Sequence, residues 1–265
     1  MTFLRAIELK NREQFPLGYP FNLELVKTLV TLSFNSPVTF FVGENASGKS
    51  TLLEGMAAAT GLPVIGGEPI ATDSTMQWTK PFIKHLKLIW SRRTTRGFFM
   101  RAEDFFRFAR TLSTLVEEID HDVEDFESRF SGYGLQLAKG SMLGQRRALV
   151  DKYGENLHAR SHGESFLIVL QERLVPKGLY LLDEPETPLS PQRQLALLAI
   201  IKRMVNEEDC QFIISTHSPI LMAFPEATIY SFDSYPVRVE NYDDLEHVTL
   251  TRSFLVNPAS FLRHL

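Results

Sequence analysis

The run Gly43-Glu44-Asn45-Ala46-Ser47-Gly48-Lys49-Ser50, followed by Thr51, matches G-x-x-x-x-G-K-[ST]. A loop of this kind holds polyphosphate. Its glycines let backbone N–H groups turn inward around a β-phosphate, and the positive end of the following helix adds to them. Lys49 would reach the β- and γ-phosphates and Ser50 would ligate Mg2+. A second set is Leu179-Tyr180-Leu181-Leu182-Asp183-Glu184-Pro185, an apolar run ending in two adjacent acids. Asp183 would support Mg2+ through its waters, and Glu184 could accept a proton from an attacking water. The plainer reading is a strand followed by an acidic turn. A third is Phe212-Ile213-Ile214-Ser215-Thr216-His217-Ser218-Pro219. A lone histidine is usually structural, but a neutral imidazole directly after a buried strand can hydrogen-bond a γ-phosphate or the attacking water. The fourth is Arg160-Ser161-His162-Gly163-Glu164-Ser165. Ser161 with Glu164 three residues on is a capping box. A serine beside Gly163 at a helix start is also an anion site, and both readings can hold at once.

These groups must be positioned by alternating strands and helices. Val26 to Phe34 and Val38 to Val42 read as two strands joined by Asn35-Ser36-Pro37. A helix starts at about Lys49 and runs to Ala59, stopped by Gly61-Leu62-Pro63. Residues 61 to 81 read as an irregular excursion, and Leu86 to Trp90 and Gly97 to Met100 as strands. From Asp104 to Asp125 the pattern is helical, with Phe105, Phe108, Leu112, Leu115, Val116 and Ile119 on one stripe. Residues 126 to 160 are glycine-dotted and charged. Further on come a helix at Phe166 to Leu174, a buried strand at Leu179 to Leu182, a helix at Pro191 to Val205 and a buried strand at Phe212 to Ser215. Ala227 to Phe232 and Val237 to Glu240 read as late strands, and Phe254 to Leu265 as a terminal helix. Such alternation predicts an α/β fold: a P-loop NTPase core with a mostly parallel sheet, antiparallel N-terminal strands and an inserted helical subdomain. The expected division is a core of residues 1–103 and 161–265, with 104–160 as the insertion.

A chain of 265 residues can build one large core with an insertion. Its net charge of −4 provides no global basic field for nucleic acid or acidic membrane. The single cysteine, Cys210, excludes a disulfide framework and reads as a small core residue. No signal peptide or apolar membrane-spanning run is evident, so a cytoplasmic protein without membrane insertion is expected. A local cluster of Arg92, Arg93, Arg96, Arg101, Arg107 and Arg110 leaves DNA as a partner to consider, the alternative being a solvated surface or contacts to nucleotide and partner subunit.

The order of Walker A at 43–50, a signature-like run at 160–164, Walker B at 179–184 and an H-loop at 215–219 resembles the ABC-type ATPases, from about residue 26 to 232. The segment Asp183 to Pro191, with Ser161 to Ser165, is similar to the soluble RecF, Rad50 and SMC-like branch and to small stand-alone bacterial ATPases of that kind. The resemblance implies ATP with Mg2+ as ligand, hydrolysis to ADP and phosphate, and a homodimer with two ATPs sandwiched between copies. Ser161 and Gly163 would face the γ-phosphate bound by the partner's Walker A. The run departs from the family's Leu-Ser-Gly-Gly-Gln/Glu at Arg160 and His162, and the D-loop lacks Ala-Leu-Asp. The Q-loop falls on Glu103 by position or Gln77 by residue type. The adenine-stacking aromatic is Phe15 or Tyr19. No heptad run fills the segment between Ser50 and Arg160, so there is no long tether. DNA maintenance or defence, alone or with an effector protein, fits this branch. The alternatives are the ATPase subunit of a membrane transporter and a non-hydrolysing ATP-dependent clamp.

Overall fold

The computed structural model describes residues 2–65, 76–130, 133–153 and 162–263. The chain divides into two compact units, Met1–Ala102 with Val175–Leu265, and Glu103–Leu174. The first unit holds β1 (Leu4–Leu9), α1 (Glu24–Thr28), β2 (Thr31–Ser33), β3 (Val38–Val42), α2 (Lys49–Thr60), α3 (Thr79–His85), β4 (Leu86–Trp90) and β5 (Gly97–Arg101). The helices α4 (Ala102–Arg129), α5 (Tyr133–Tyr153) and α6 (His162–Arg173) follow. The chain then returns through β6 (Leu179–Asp183), α7 (Pro191–Glu208), β7 (Gln211–Ser215), α8 (Pro219–Met222), β8 (Thr228–Ser231), β9 (Arg238–Val239), α9 (Glu246–Val256) and α10 (Pro258–Leu262).

Two sheets result. A six-stranded sheet has the order β5-β6-β7-β3-β8-β9 and is parallel except for the β8–β9 pair. A three-stranded antiparallel sheet has the order β2-β1-β4. In β3, β6 and β7 every residue is buried, which is why these strands read as unbroken apolar runs: both faces are covered. Their register aligns Asp183 with Ser215 and Phe41 with Ser215, so the carboxyl ends of the three strands lie on one edge. Helix α2 packs on β4 of one sheet and on β5, β6 and β7 of the other. Leu53, Met56 and Ala57 of α2 join Ile7, Phe41, Leu181 and Ile213 in a single core.

A buried polar clasp fastens the sheets. Gln211 opens β7 and is fully buried. Its Oε1 accepts from the backbone N–H of Phe3 and Leu4 at 2.8 and 2.9 Å, and its Nε2 donates to the Leu4 carbonyl at 2.9 Å. Cys210, just before it, is buried as the small core residue its flanks suggest.

The helical unit is built on the stripe read in α4. Phe105, Phe108, Leu112 and Ile119 are buried, while Leu115 is 41% exposed and does not belong to the stripe. Phe105 meets Phe166 of α6 edge-on at 5.0 Å, and Phe108 meets Tyr153 of α5 at 6.0 Å. The ion pairs Arg146–Asp120 and Lys139–Glu127 join α4 to α5.

Several elements differ from their sequence reading. Val26 to Phe34 is not one strand: α1 ends at Thr28 and only Thr31–Ser33 is extended. Leu25, Val26 and Leu29 are all buried at helical spacing, which an apolar run of that length fits as well as it fits a strand. Nor are β2 and β3 a hairpin, since they lie in different sheets. β1 and α3 add elements where none was read. The terminal helix is broken at Asn257-Pro258, because proline disfavours helical backbone in the residue before it. Asn257 instead caps α10 by accepting from the Ser260 N–H.

Gln211→Leu would leave two backbone donors and one acceptor buried without partners. We expect a loss of about 3 kcal/mol or more, read by urea denaturation, with the same fold by circular dichroism.

Candidate functional site

The phosphate loop leaves the buried end of β3 and enters α2. Gly43 has φ 139° and Gly48 φ 93°, both in the left-handed half of the map where glycine carries no penalty. A Cβ on Gly43 would lie 2.9 Å from Asp233 Oδ1 and 3.2 Å from the backbone of residues 232–233. Asp233 Oδ1 also accepts from the Glu44 N–H at 2.7 Å, and the Tyr235 hydroxyl donates to the Ser47 carbonyl. The segment after β8 therefore braces the outer rim of the loop.

Lys49 is only 4% exposed. Its Nζ donates to the carbonyls of Gly43 and Glu44 at 2.7 and 2.8 Å and to Ser47 Oγ at 3.4 Å. Burial lowers its pKa, against the pull of the Glu184, Asp183, Asp233 and Glu44 carboxylates. The Ser50 hydroxyl acts on the Asp183 carboxyl and favours its ionised form. Thr51 Oγ1 lies 2.9 Å from the Tyr19 hydroxyl. Asn45 and Ala46 are exposed at the loop's tip, Ala46 with φ 65°.

Asp183 closes β6 and is 7% exposed. Burial raises its pKa above the ordinary carboxyl value, opposed by the hydroxyls of Ser50 and Ser215 and by Lys49. Its Oδ1 has no hydrogen-bond partner among the described residues. The next residue turns sharply: Glu184 has φ 49°, a strained conformation for a side-chain-bearing residue, held by its N–H donating to the Ser215 carbonyl at 2.9 Å. The Glu184 carboxylate is thereby placed 3.7 Å from His217 Nε2.

His217 lies between β7 and α8, whose first turn is capped by Ser218. Its backbone N–H donates to Glu186 Oε1 at 2.7 Å, and its Nδ1 lies 3.3 Å from His247 Nε2 of α9. Burial lowers the His217 pKa, with Lys49 and His247 acting in the same direction and Glu184 against. Burial raises the Glu186 pKa, opposed by the Thr216 hydroxyl and the His217 N–H.

The structure thus gathers Lys49, Ser50, Asp183, Glu184 and His217 at one edge of the parallel sheet, the place where open α/β sheets bind ligands. The arrangement can hold a polyphosphate by its loop, a divalent cation by Ser50 and Asp183, and a water beside Glu184. Ser161 lies outside the described residues. Gly163 is the second residue of α6, buried in the helical unit. Gln77 is exposed in the turn before α3, and Glu103 is exposed at the start of α4. Of the two aromatics, Phe15 packs on Phe21 and His85 at 5.0 and 5.1 Å. Tyr19 instead stands beside the first turn of α2, its ring half exposed and 5.2 Å from Trp78. Three of the six clustered arginines are engaged within their unit: Arg92 lies over Phe3, Arg96 bonds the Pro176 carbonyl and Arg101 pairs with Glu54. Glu186, Asp233, Tyr235 and His247 were not singled out as site residues. For Glu186 there was a local signal, a second acid directly after Pro185.

Two domain models match the sequence: "AAA domain" over residues 7–71 and "AAA domain, putative AbiEii toxin, Type IV TA system" over residues 164–223. No curated protein matches it. Among solved structures, one titled "An inward-facing conformation of a putative metal-chelate type ABC transporter" is 16% identical, with a TM-score of 0.50, 96% of this chain and 90% of that chain covered. An SMC head domain from Thermotoga maritima is 14% identical (TM-score 0.44, 87% and 94% covered). A dimeric bacterial ABC transporter cassette is also 14% identical (TM-score 0.44, 92% and 99% covered). Among the described residues no helix is long and apolar enough to cross a membrane. The two matched segments are those that carry the phosphate loop and the paired acids with His217, and the chain has the fold of an ABC-type P-loop ATPase.

Proposed function

We propose that this chain binds ATP with Mg2+ and hydrolyses it to ADP and phosphate in a site closed by a second copy. The observation that carries the reading is the convergence on one sheet edge of Lys49, of Ser50 beside the buried Asp183 carboxyl, and of Glu184 at 3.7 Å from His217. Lys49 exchanges the Gly43 and Glu44 carbonyls for β- and γ-phosphate oxygens. The backbone N–H groups of the 43–48 loop and Thr51 at the start of α2 surround the β-phosphate. Ser50 and Asp183 would hold Mg2+: their hydroxyl and carboxylate are hard oxygen donors, and the partnerless Asp183 Oδ1 is a buried anionic atom that a cation would satisfy. When bound, the ion neutralises charge on the β- and γ-phosphates.

Glu184 takes the proton of the attacking water. Its exposed carboxylate keeps a path for that water. His217, kept neutral by burial, donates from Nε2 to the terminal phosphate. Tyr19 offers its half-exposed ring to the adenine. Ser161 and Gly163 of the second copy complete the phosphate contacts, so that ATP is sandwiched in a homodimer. The protein works in the cytoplasm and belongs with the RecF, Rad50 and SMC-like enzymes.

Three variants test the reading. Lys49→Ala should weaken ATP binding by about a hundredfold or more, measured by calorimetry; unchanged affinity would remove the phosphate-loop assignment. Glu184→Gln should bind ATP and Mg2+, lose phosphate release by at least about a hundredfold, and accumulate as a dimer in light scattering with ATP but not with ADP. A variant that stays monomeric with ATP speaks against the sandwich. One that hydrolyses like the wild type speaks against Glu184 as base.

Asp183→Asn should stabilise the nucleotide-free protein while abolishing Mg2+-dependent turnover. The sign follows from burial: the folded-state pKa of Asp183 lies above the unfolded one, so the ionised form is disfavoured by folding. Removing that charge raises the melting temperature at neutral pH. The difference between variant and wild type shrinks as pH falls and the carboxyl takes up its proton. A lower melting temperature for the variant at neutral pH contradicts the account.

A further inference from the structure

The ring of His217 is touched from both sides, and the two contacts together specify where its proton sits. Nε2 is buried, faces Glu184 Oε1 at 3.7 Å and has no hydrogen-bond partner among the described residues. Nδ1 lies 3.3 Å from Nε2 of His247, the second residue of α9. The two rings stand 5.4 Å apart at 44°, so the contact is edge-on through nitrogen and not a stack. Two neutral imidazoles meeting through one nitrogen each can share only one proton between those nitrogens. Either His217 Nδ1–H donates to His247, leaving a bare Nε2 lone pair facing the Glu184 carboxylate, or His247 Nε2–H donates to His217 and the His217 proton sits on Nε2. A lone pair opposite a carboxylate is repulsive and an N–H is attractive, so the second arrangement is the favoured one.

We propose that His247 is a positioning residue: by donating from Nε2 to His217 Nδ1 it fixes the His217 tautomer that carries its proton on Nε2, toward the terminal phosphate. The inference rests on the proposed role of His217 and adds a residue that neither the motif nor its neighbours in sequence suggest. Without the His247 donor, His217 Nδ1 is free to hold the proton in water. The molecules in that state present an acceptor to an anionic phosphate and do not react. The charged and titratable groups whose fields act on the His217 ring are Lys49, Glu184, His247 and Glu44, of which Glu184 and His247 lie against its two nitrogens. Glu184 favours a proton on Nε2 from one side of the ring, and His247 fills Nδ1 with a donor from the other, so the two act on the same tautomer and only His247 keeps Nδ1 from holding the proton. A pair of imidazole nitrogens can also ligate a transition ion, but no third ligand joins them among the described residues.

The test uses the full-length protein, treated with chelator and then given Mg2+. His247→Phe keeps a ring of similar size and removes the donor; His247→Gln restores an N–H near the position of Nε2. Histidine-selective 15N labelling reads the tautomers of the 7 histidines, with His217 assigned by its loss in His217→Ala. We expect the wild type to show His217 protonated at Nε2. His247→Phe should lower kcat roughly tenfold with KM nearly unchanged and should populate the Nδ1–H form, and His247→Gln should recover most of the rate. The inference is overturned by a wild-type His217 protonated at Nδ1, by wild-type turnover in His247→Phe, or by a rate that requires added Zn2+. It is also overturned if His247→Gln is as slow as His247→Phe while both keep the wild-type tautomer, because the residue then only supports the fold. A His217→Ala variant that hydrolyses ATP normally fails a different claim, the role of His217 itself.

Discussion

Lys49 is a buried ammonium held by backbone carbonyls of its own loop and attracted by four carboxylates, those of Glu184, Asp183, Asp233 and Glu44. Burial alone would drive the lysine toward its neutral form, and burial alone would drive Asp183 the same way. Each charge is tolerable only because the other is there, and the balance is incomplete: Asp183 Oδ1 lacks a partner among the described residues, and the nearby Glu186 carboxyl is also raised by burial. Among the described residues the site is therefore short of anions for its loop, where the Glu44 N–H meets Asp233, and of donors for its acids. A triphosphate with a divalent cation corrects both deficits at once. In the proposed complex the anion would take Lys49 and the loop, and the cation Ser50 and Asp183. An isolated phosphate would correct only the first.

The positions of these groups come from the sheet. Because β3, β6 and β7 are buried on both faces and run parallel in adjacent register, their carboxyl ends can only emerge side by side. The acid at the end of β6 then faces the serine that starts α2, and the residue after it must turn away from the strand. Glu184 does so in the left-handed region, a cost met by one hydrogen bond to the end of β7. Strain at this position is the geometric price of placing a carboxylate beside the phosphate site and not within the strand ladder. The sheet in turn is tied to the antiparallel one through Gln211, so a side chain at the opposite end of β7 from Ser215 helps fix where that end lies.

How much of this the sequence disclosed follows from distance along the chain. The phosphate loop is a contiguous stretch whose glycines and lysine are recognisable by type. The acids at the end of β6 were legible because an unbroken apolar run marks a strand covered on both faces. Glu186 and His217 are 31 residues apart and His217 and His247 are 30 apart. Asp233 and Glu44 are 189 apart, and no local pattern announces any of these pairs. Secondary structure failed where period was ambiguous or charge intervened. Leu25, Val26 and Leu29 satisfy a helix while sitting in an apolar run. β1 mixes Arg5 and Glu8 into a strand that pairs on both sides, and so lacks the apolar continuity that betrays β3 or β7. Helix α3 follows a stretch of turn-forming residues and was absorbed into it.

The loop after β7 holds the His217 side chain, proposed above to act on the phosphate, at both its ends. The backbone of His217 is pinned by Glu186, whose own carboxyl is buried beside the Thr216 hydroxyl, and its ring is pinned by His247. The Glu184 side chain beside the ring keeps 43% of its surface exposed. A side chain gripped in this way gives up rotamer freedom when the protein folds and not when nucleotide arrives. In the proposed reaction the ordering cost of a neutral hydrogen-bond donor at the phosphate would therefore be met by the fold before nucleotide arrives.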